Sequence, residues 1–139
     1  MEQHDYTALI RAAQAGRERA YAPYSGFAVG AAVLTASGQI FPGCNIENAA
    51  YPVTLCAERV ALFSAYAAGE RDIVAIAVIT ATDAVASPCG ACRQVILELA
   101  PHSTVLLLNT RGDQQITTPQ ALLPAAFGAS HLSQAREGH

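Results

Sequence analysis

Apolar residues recur at helical spacing at Tyr6, Leu9, Ile10 and Ala13, while Arg11, Arg17, Glu18 and Arg19 fall mostly on other faces. The stretch from Asp5 to Ala20 therefore predicts an amphipathic helix, broken by Tyr21-Ala22-Pro23-Tyr24-Ser25-Gly26. Phe27 to Thr35 reads as a buried strand, Ala36-Ser37-Gly38 as a turn, and Gln39 to Pro42 as a returning strand, which makes a hairpin. Pro52 precedes a second helical stretch, Leu55 to Ala68, with apolar spacing at Val60, Leu62 and Phe63 and a stop at Gly69. Ile73 to Thr80 is almost wholly apolar and β-branched, the pattern of a strand covered on both faces. After a loop from Asp83 to Pro88, Gly90 to Leu99 has helical spacing at Val95, Ile96 and Leu99, and Val105 to Leu108 is a further apolar strand behind Pro101. Arg111-Gly112-Asp113 turns into a weak edge strand near Gln115 to Thr118. Pro119 to Leu123 is a short helix, and His131 to His139 reads as a loose tail.

Strand, helix and strand thus alternate through the second half of the chain. Right-handed crossovers would lay the central strands side by side with helices on both faces, a three-layer α/β/α sandwich. The 139 residues suit one domain, expected over 1–128, with 129–139 as a C-terminal tail. Composition sharpens this picture. Apolar residues make up 52% and charged residues only 14%, against about 25% in an average soluble domain, which excludes intrinsic disorder. With 29 alanines and a net charge of −3, the chain has little polar surface to cover itself, and a homo-oligomer is expected. All eight basic residues are arginine. The absence of lysine excludes P-loop phosphate binding and Schiff-base catalysis. A pI of 5.7 without a basic cluster argues against nucleic-acid binding. The acidic, polar start Met1-Glu2-Gln3-His4-Asp5 is unlike a signal peptide, and Ile73 to Ile79 falls far short of the roughly 20 residues of a membrane span. A cytoplasmic protein is expected, in which Cys44, Cys56, Cys89 and Cys92 serve as metal ligands, catalytic groups or buried thiols rather than disulfides.

Three of these cysteines fall at predicted helix starts: Cys56 opens the second helix, and Cys89 and Cys92 open the third in Pro88-Cys89-Gly90-Ala91-Cys92. The partial positive charge of a helix N-terminus favours the thiolate that zinc requires. Sulfurs at i and i+3, with a third from another helix, make a three-ligand site whose fourth position stays open, as in catalytic zinc centres. Glu58, two residues beyond Cys56, could then shuttle protons without ligating.

A Cys or His two before a Glu, followed by Pro-Cys-x-x-Cys, is the pattern of zinc deaminases. From near Tyr6 through Phe127 the chain resembles the small zinc-dependent cytidine deaminases of the cytidine and deoxycytidylate deaminase family. Matching stretches are Tyr21 to Ala32, Gly43 to Pro52, Cys56-Ala57-Glu58-Arg59, Pro88 to Gln94, and Leu122 to Phe127. The resemblance implies a three-layer sandwich with a mixed five-stranded sheet and a homotetramer with one Zn²⁺ per subunit. It also implies hydrolytic deamination of cytidine and 2′-deoxycytidine at C4, with Cys56, Cys89 and Cys92 as zinc ligands and Glu58 as catalytic proton carrier. By the same resemblance Asn45 and Glu47 bind the ribose hydroxyls, Phe27 packs on the pyrimidine, and Ala57 lies among the substrate contacts. Ala49, Tyr51 and Phe127 complete sites across subunit boundaries. The residues make part of this plausible on their own, because an amide and a carboxylate two apart on an extended segment point the same way. Arg59 has a further expected role. Three thiolates on Zn²⁺ leave a net charge of −1, which weakens the metal as a Lewis acid, and Arg59 could offset it by donating hydrogen bonds to ligand sulfur.

Other readings stand beside this one. The cysteines could form a structural zinc site, although such sites usually show two Cys-x₂-Cys pairs and this chain has one. Cys44 reads as a small buried thiol. Cys89-Gly90-Ala91-Cys92 could be a thioredoxin-like redox motif, and a binding protein on an inactive deaminase fold is the non-enzymatic alternative. His4, His102, His131 and His139 read as surface residues, and Arg93 as solvated or paired with Glu98 or a neighbouring subunit. Within deaminases, a related aminated nucleoside such as blasticidin S is the alternative substrate. Scarce basic residues disfavour nucleotides and polynucleotides.

Overall fold

Asp5 stands just ahead of the first helix, where its carboxylate accepts from the Thr7 N–H at 2.9 Å and from the Thr7 hydroxyl at 2.6 Å. This computed structural model describes residues 5–137, with side chains through Ser133. Helix α1 covers Thr7–Arg17, and strands β1 (Val29–Thr35) and β2 (Ile40–Cys44) form the hairpin. A 3₁₀ turn at Tyr51–Val53 leads into α2 (Ala57–Ala67), which ends before Gly69 at a φ of 89°. Strand β3 (Ile73–Thr80), helix α3 (Gly90–Leu99), β4 (Thr104–Asn109), β5 (Gln114–Thr117), the short α4 (Pro119–Leu122) and α5 (Ala129–Glu137) follow.

The strands form one mixed sheet in the order β2-β1-β3-β4-β5, with β3 and β4 parallel and the other neighbours antiparallel. Alternation along each strand divides the core into two layers. Ala31 and Val33 of β1, Ile76 and Val78 of β3, and Val105 and Leu107 of β4 pack with Ala57, Ala61, Leu62 and Ala65 of α2 and Ile96 of α3. Ala32, Ala75, Ala77, Ile79, Leu106 and Leu108 turn to the opposite face, against Leu9 and Ala13 of α1. This is the expected three-layer sandwich. Leu9, Leu62, Ile76, Ile96 and Leu106 are fully buried, and each such side chain contributes about 1.5–3 kcal/mol on transfer from water.

The alanines allow very close packing of helix on sheet. A Cβ on Gly43 would stand 2.5 Å from the Ala57 carbonyl oxygen and 2.6 Å from the Ala61 nitrogen, so the first turns of α2 lie backbone to backbone on β2. Gly30 does the same for α1, where a Cβ would stand 2.1 Å from the Ala13 carbonyl oxygen. These contacts seat the residues at the start of α2, Cys56 and Glu58 among them.

Several expectations are corrected. Strand β1 begins at Val29 rather than Phe27, because the Phe27 N–H and C=O are taken by the side chains of Ser25 and Asn45 instead of a neighbouring strand. Helix α2 begins at Ala57, since Leu55 pairs with Ile46 in an isolated bridge. The stretch expected as a loose tail is helical at Ala129–Glu137: the Gly128 N–H donates to His131 Nδ1 at 3.0 Å, and the Phe127 and His131 rings stack at 5.5 Å. Arg93 pairs with neither Glu98 nor solvent alone; it donates to the carbonyls of Pro88 at 2.9 Å and Leu122 at 2.7 Å. Cys44 is half-buried rather than buried. His102 and His131 are exposed as expected, and His4 and His139 lie outside the described residues. Among the described residues, no helix is long and apolar enough to cross a membrane.

Gly43→Ala is expected to lower stability by about 1–3 kcal/mol through overpacking against α2. Urea unfolding checks this, and an unchanged midpoint would contradict the close approach.

Candidate active site

The N-termini of α2 and α3 bring three sulfurs together. Cys56 and Cys89 occupy the N-cap positions of the two helices, both in extended conformation, and Cys92 lies in the first turn of α3. Cys89 doubles as the cap, its sulfur accepting from the Cys92 N–H at 3.4 Å. The three Sγ atoms all lie within 4.8 Å of one another, with Cys56 and Cys89 at 3.8 Å. Arg93 fixes the entry to α3 through the Pro88 carbonyl. Arg59 reaches back along α2 to donate to Cys56 Sγ at 3.3 Å, while its Nε is buried without a partner. Cys44 is outside this cluster, its sulfur 3.5 Å from the Arg19 carbonyl oxygen.

The electrostatics of the cluster call for a cation. Hydrogen bonds from the Cys92 thiol and from Arg59 and Cys89 bring the Cys56 thiol down to about 5, against the opposing effect of burial. The Cys92 thiol is pushed up by its bond to Cys56, by burial, and by the nearby Glu58 charge. One thiolate is thus favoured and a second is opposed, a conflict that a divalent ion among the sulfurs removes. Three convergent thiolates at helix starts are also a soft donor set suited to zinc, with room for a non-protein ligand. Glu58 is buried beside them, and burial, then the Cys56 charge, raises its carboxyl above the ordinary glutamate value.

Cys56, Glu58 and Cys89 open onto a cavity of about 280 Å³. Of the residues expected at the site, Phe27, Asn45, Glu47, Tyr51 and Ala57 also line it. Cys92 is fully buried in the α3 turn. Ala49 and Phe127 are exposed and do not line this cavity within one chain; Phe127 sits near α3, where Gln94 Nε2 donates to its carbonyl at 3.1 Å. Asn45 and Glu47 on the cavity wall are both held by hydrogen bonds. Asn45 Oδ1 accepts from the Val29 N–H at 2.9 Å and its Nδ2 donates to the Phe27 carbonyl at 2.7 Å. Glu47 Oε1 accepts from the Tyr24 and Ser25 N–H groups at 3.0 and 3.1 Å, and Oε2 accepts from the Ser25 hydroxyl. Asn45 and Glu47 flank the exposed Ile46, so both point inward by strand alternation. Ser25 also lines the cavity and was not among the expected site residues; its place between Tyr24 and Phe27 in a matching stretch is the signal that points to it.

The family model of the cytidine and deoxycytidylate deaminase zinc-binding region matches residues 2–108, which include all three clustered cysteines and Glu58. The chain belongs to this family. It is 53% identical to a cytidine deaminase of Halalkalibacterium halodurans over 93% of this chain and 98% of that protein. A crystal structure of cytidine deaminase from Burkholderia pseudomallei superposes with a TM-score of 0.86 at 54% identity, covering 89% of this chain and all of that one. Cytidine deaminase from Mycobacterium tuberculosis gives 0.78 at 36% identity, over 91% and 99% of the two chains. A blasticidin-S deaminase of Bacillus cereus is 35% identical over 71% of this chain and 76% of its own. As in the rest of the family, the metal is zinc, and the three-sulfur cluster accommodates one ion per subunit.

Two outcomes are expected. Cys92→Ala should lose its zinc while Cys44→Ser keeps the full metal-to-protein ratio, read by atomic emission; loss of metal from the latter would implicate a fourth cysteine. The Glu47 carboxyl is held below the ordinary value of 4.5 by the Ser25 hydroxyl first and then by the Ser25 and Tyr24 N–H groups. A carboxyl lowered on folding stabilises above its unfolded pKa, and that contribution is lost as pH falls through the folded value. The stability advantage of wild type over Glu47→Gln should therefore shrink as pH falls from about 6 to about 3 in urea titrations; a constant advantage would contradict it.

Proposed function

We propose that this protein hydrolyses cytidine and 2′-deoxycytidine to uridine and 2′-deoxyuridine with release of ammonia. The observation that carries the reading is one cavity lined by Cys56 and Cys89 of the three-sulfur cluster, by the buried Glu58 and by the Asn45–Glu47 pair. Cys56, Cys89 and Cys92 would hold the zinc, which when bound supplies the Lewis acidity that activates water near neutral pH. Glu58 takes a proton from the attacking water as C4 is hydrated and passes it to the ring N3, then takes the proton of the new C4 hydroxyl and delivers it to the departing ammonia, leaving the C4 carbonyl of uridine. Glu58 lines the cavity and stands outside the three-sulfur cluster, which leaves it free to carry the proton.

Phe27 and Ala57 face the pyrimidine in this reading, and Asn45 with Glu47 takes the ribose hydroxyls. Arg59 supports the centre through its hydrogen bond to Cys56, offsetting the excess negative charge of three thiolates. Among the described residues no arginine lines the cavity, which favours a nucleoside over a phosphorylated substrate. Similarity to a blasticidin-S deaminase gives a second reading, an aminated nucleoside analogue; the Asn45–Glu47 pair favours an ordinary ribose or deoxyribose.

Tyr51 and Phe27 on the cavity wall, and Val53 and Phe127 elsewhere, remain 75, 45, 62 and 59% exposed. That much apolar surface supports a homo-oligomer, taken as a tetramer in which Ala49, Tyr51 and Phe127 reach neighbouring sites. Residues 1–128 form the catalytic domain, with α5 as its appendage. Four free cysteines, three of them committed to metal, suit a reducing cytoplasm.

The test is the ultraviolet absorbance of cytidine mixed with the purified protein, with and without prior chelation of zinc. The expected fall yields uridine and disappears on chelation; no fall with a folded, zinc-loaded sample would overturn the reading. Glu58→Ala should retain zinc while losing about a hundred- to ten-thousand-fold in kcat, and near-normal turnover would remove Glu58 from its role.

A further inference from the structure

Ser25 lines the cavity, and its hydroxyl bonds two other residues that line it. It accepts from the Phe27 N–H at 3.0 Å and donates to Glu47 Oε2. Because the accepting bond fixes the oxygen, its one proton is directed at the carboxylate. Glu47 is in turn nearly saturated. An ionised carboxylate has about four acceptor positions; Oε1 uses two on the Tyr24 and Ser25 N–H groups and Oε2 uses one on Ser25. One acceptor position remains, on an oxygen whose rotation is fixed from three sides. Such a group suits a ligand that donates a single hydrogen bond.

We propose that Ser25 is the positioning residue for recognition of a sugar hydroxyl: it locks the Glu47 carboxylate so that one lone pair faces the cavity, and ties that carboxylate to the backbone of Phe27. This deepens the nucleoside reading given above and rests on it. Asn45 closes the other side of the same segment, holding the Phe27 carbonyl and the Val29 N–H. The Phe27 backbone is therefore clamped on both its polar groups by side chains, one of which also sets Glu47. Without the Ser25 hydroxyl, Glu47 Oε2 is free to turn toward water, and the Phe27 N–H loses its acceptor. The cost falls on binding of a hydroxyl-bearing substrate, and chemistry at the sulfur cluster is spared.

The test crosses the protein change with a change in the substrate. The zinc-loaded wild type, Ser25→Ala and Ser25→Thr are assayed with cytidine and with 2′,3′-dideoxycytidine, which has no hydroxyl at either vicinal position. The expected loss in kcat/KM on Ser25→Ala is about tenfold larger with cytidine than with the dideoxy compound, the size of one hydrogen bond to a charged group. It should appear mainly in KM, with kcat held within about threefold. Ser25→Thr, which keeps a hydroxyl, should restore the difference. Equal losses on the two substrates, a loss in kcat alone, or a Ser25→Thr that behaves as Ser25→Ala would overturn the proposal, since a merely structural role affects both substrates alike. If Ser25→Ala does not fold, Ser25→Cys, a weaker donor and acceptor, takes its place under the same criteria. A wild type that deaminates neither compound defeats the nucleoside reading itself, an outcome separate from a failure of Ser25.

Discussion

Three thiols held within a few ångströms of one another, at the N-termini of two helices, impose a requirement that the surrounding structure is arranged to meet. The helix ends favour negative charge on sulfur, yet a second thiolate is opposed, because the Cys92 thiol is hydrogen-bonded to Cys56 and buried. A divalent cation among the sulfurs resolves this. Arg59 adds a positive group on Cys56 from the same helix that carries Glu58. Cys56, Glu58 and Arg59 are all placed by where α2 begins.

That starting point is set by close packing. Gly43 and the alanines of α2 bring the helix backbone onto β2, and the bridge between Ile46 and Leu55 fixes the chain just before Cys56. The same Ile46 segment presents Asn45 and Glu47 on the cavity side. One short extended piece of chain therefore carries Asn45 and Glu47 and, through the bridge to Leu55, holds the residue just before Cys56. On the α3 side, Arg93 links the loop before Cys89 to the end of α4, which is a structural use of a charge by backbone carbonyls.

The sandwich itself was legible because period and composition agreed. The apolar β-branched run at Ile73–Thr80 could be satisfied only by cover on both faces, and it lies centrally in the sheet between β1 and β4. The helix starts at Cys56 and Cys89 were legible from flanking prolines and the spacing of apolar residues. Helix α5 was not, because Ala-Ser-His-Leu-Ser-Gln-Ala-Arg-Glu carries no apolar stripe; its first turn is held by contacts of Gly128 and Phe127 with His131. The start of β1 was misplaced for a related reason: hydrogen bonds from Ser25 and Asn45 replace a ladder that hydropathy cannot distinguish from them.

By itself the sequence pointed to the layers of the fold and to Cys56, Cys89, Cys92 and Glu58 as candidates for one site, since these follow from local periodicity and from the chemistry of a few residue types at short spacing. Tertiary structure alone decided which of those residues share one cavity, that Cys56 is the sulfur Arg59 reaches, and that the Ser25 hydroxyl bonds Glu47. Residues 25 and 47 are far apart along the chain, and a hydrogen bond between them depends on ångström-scale placement of two loops that no local pattern encodes.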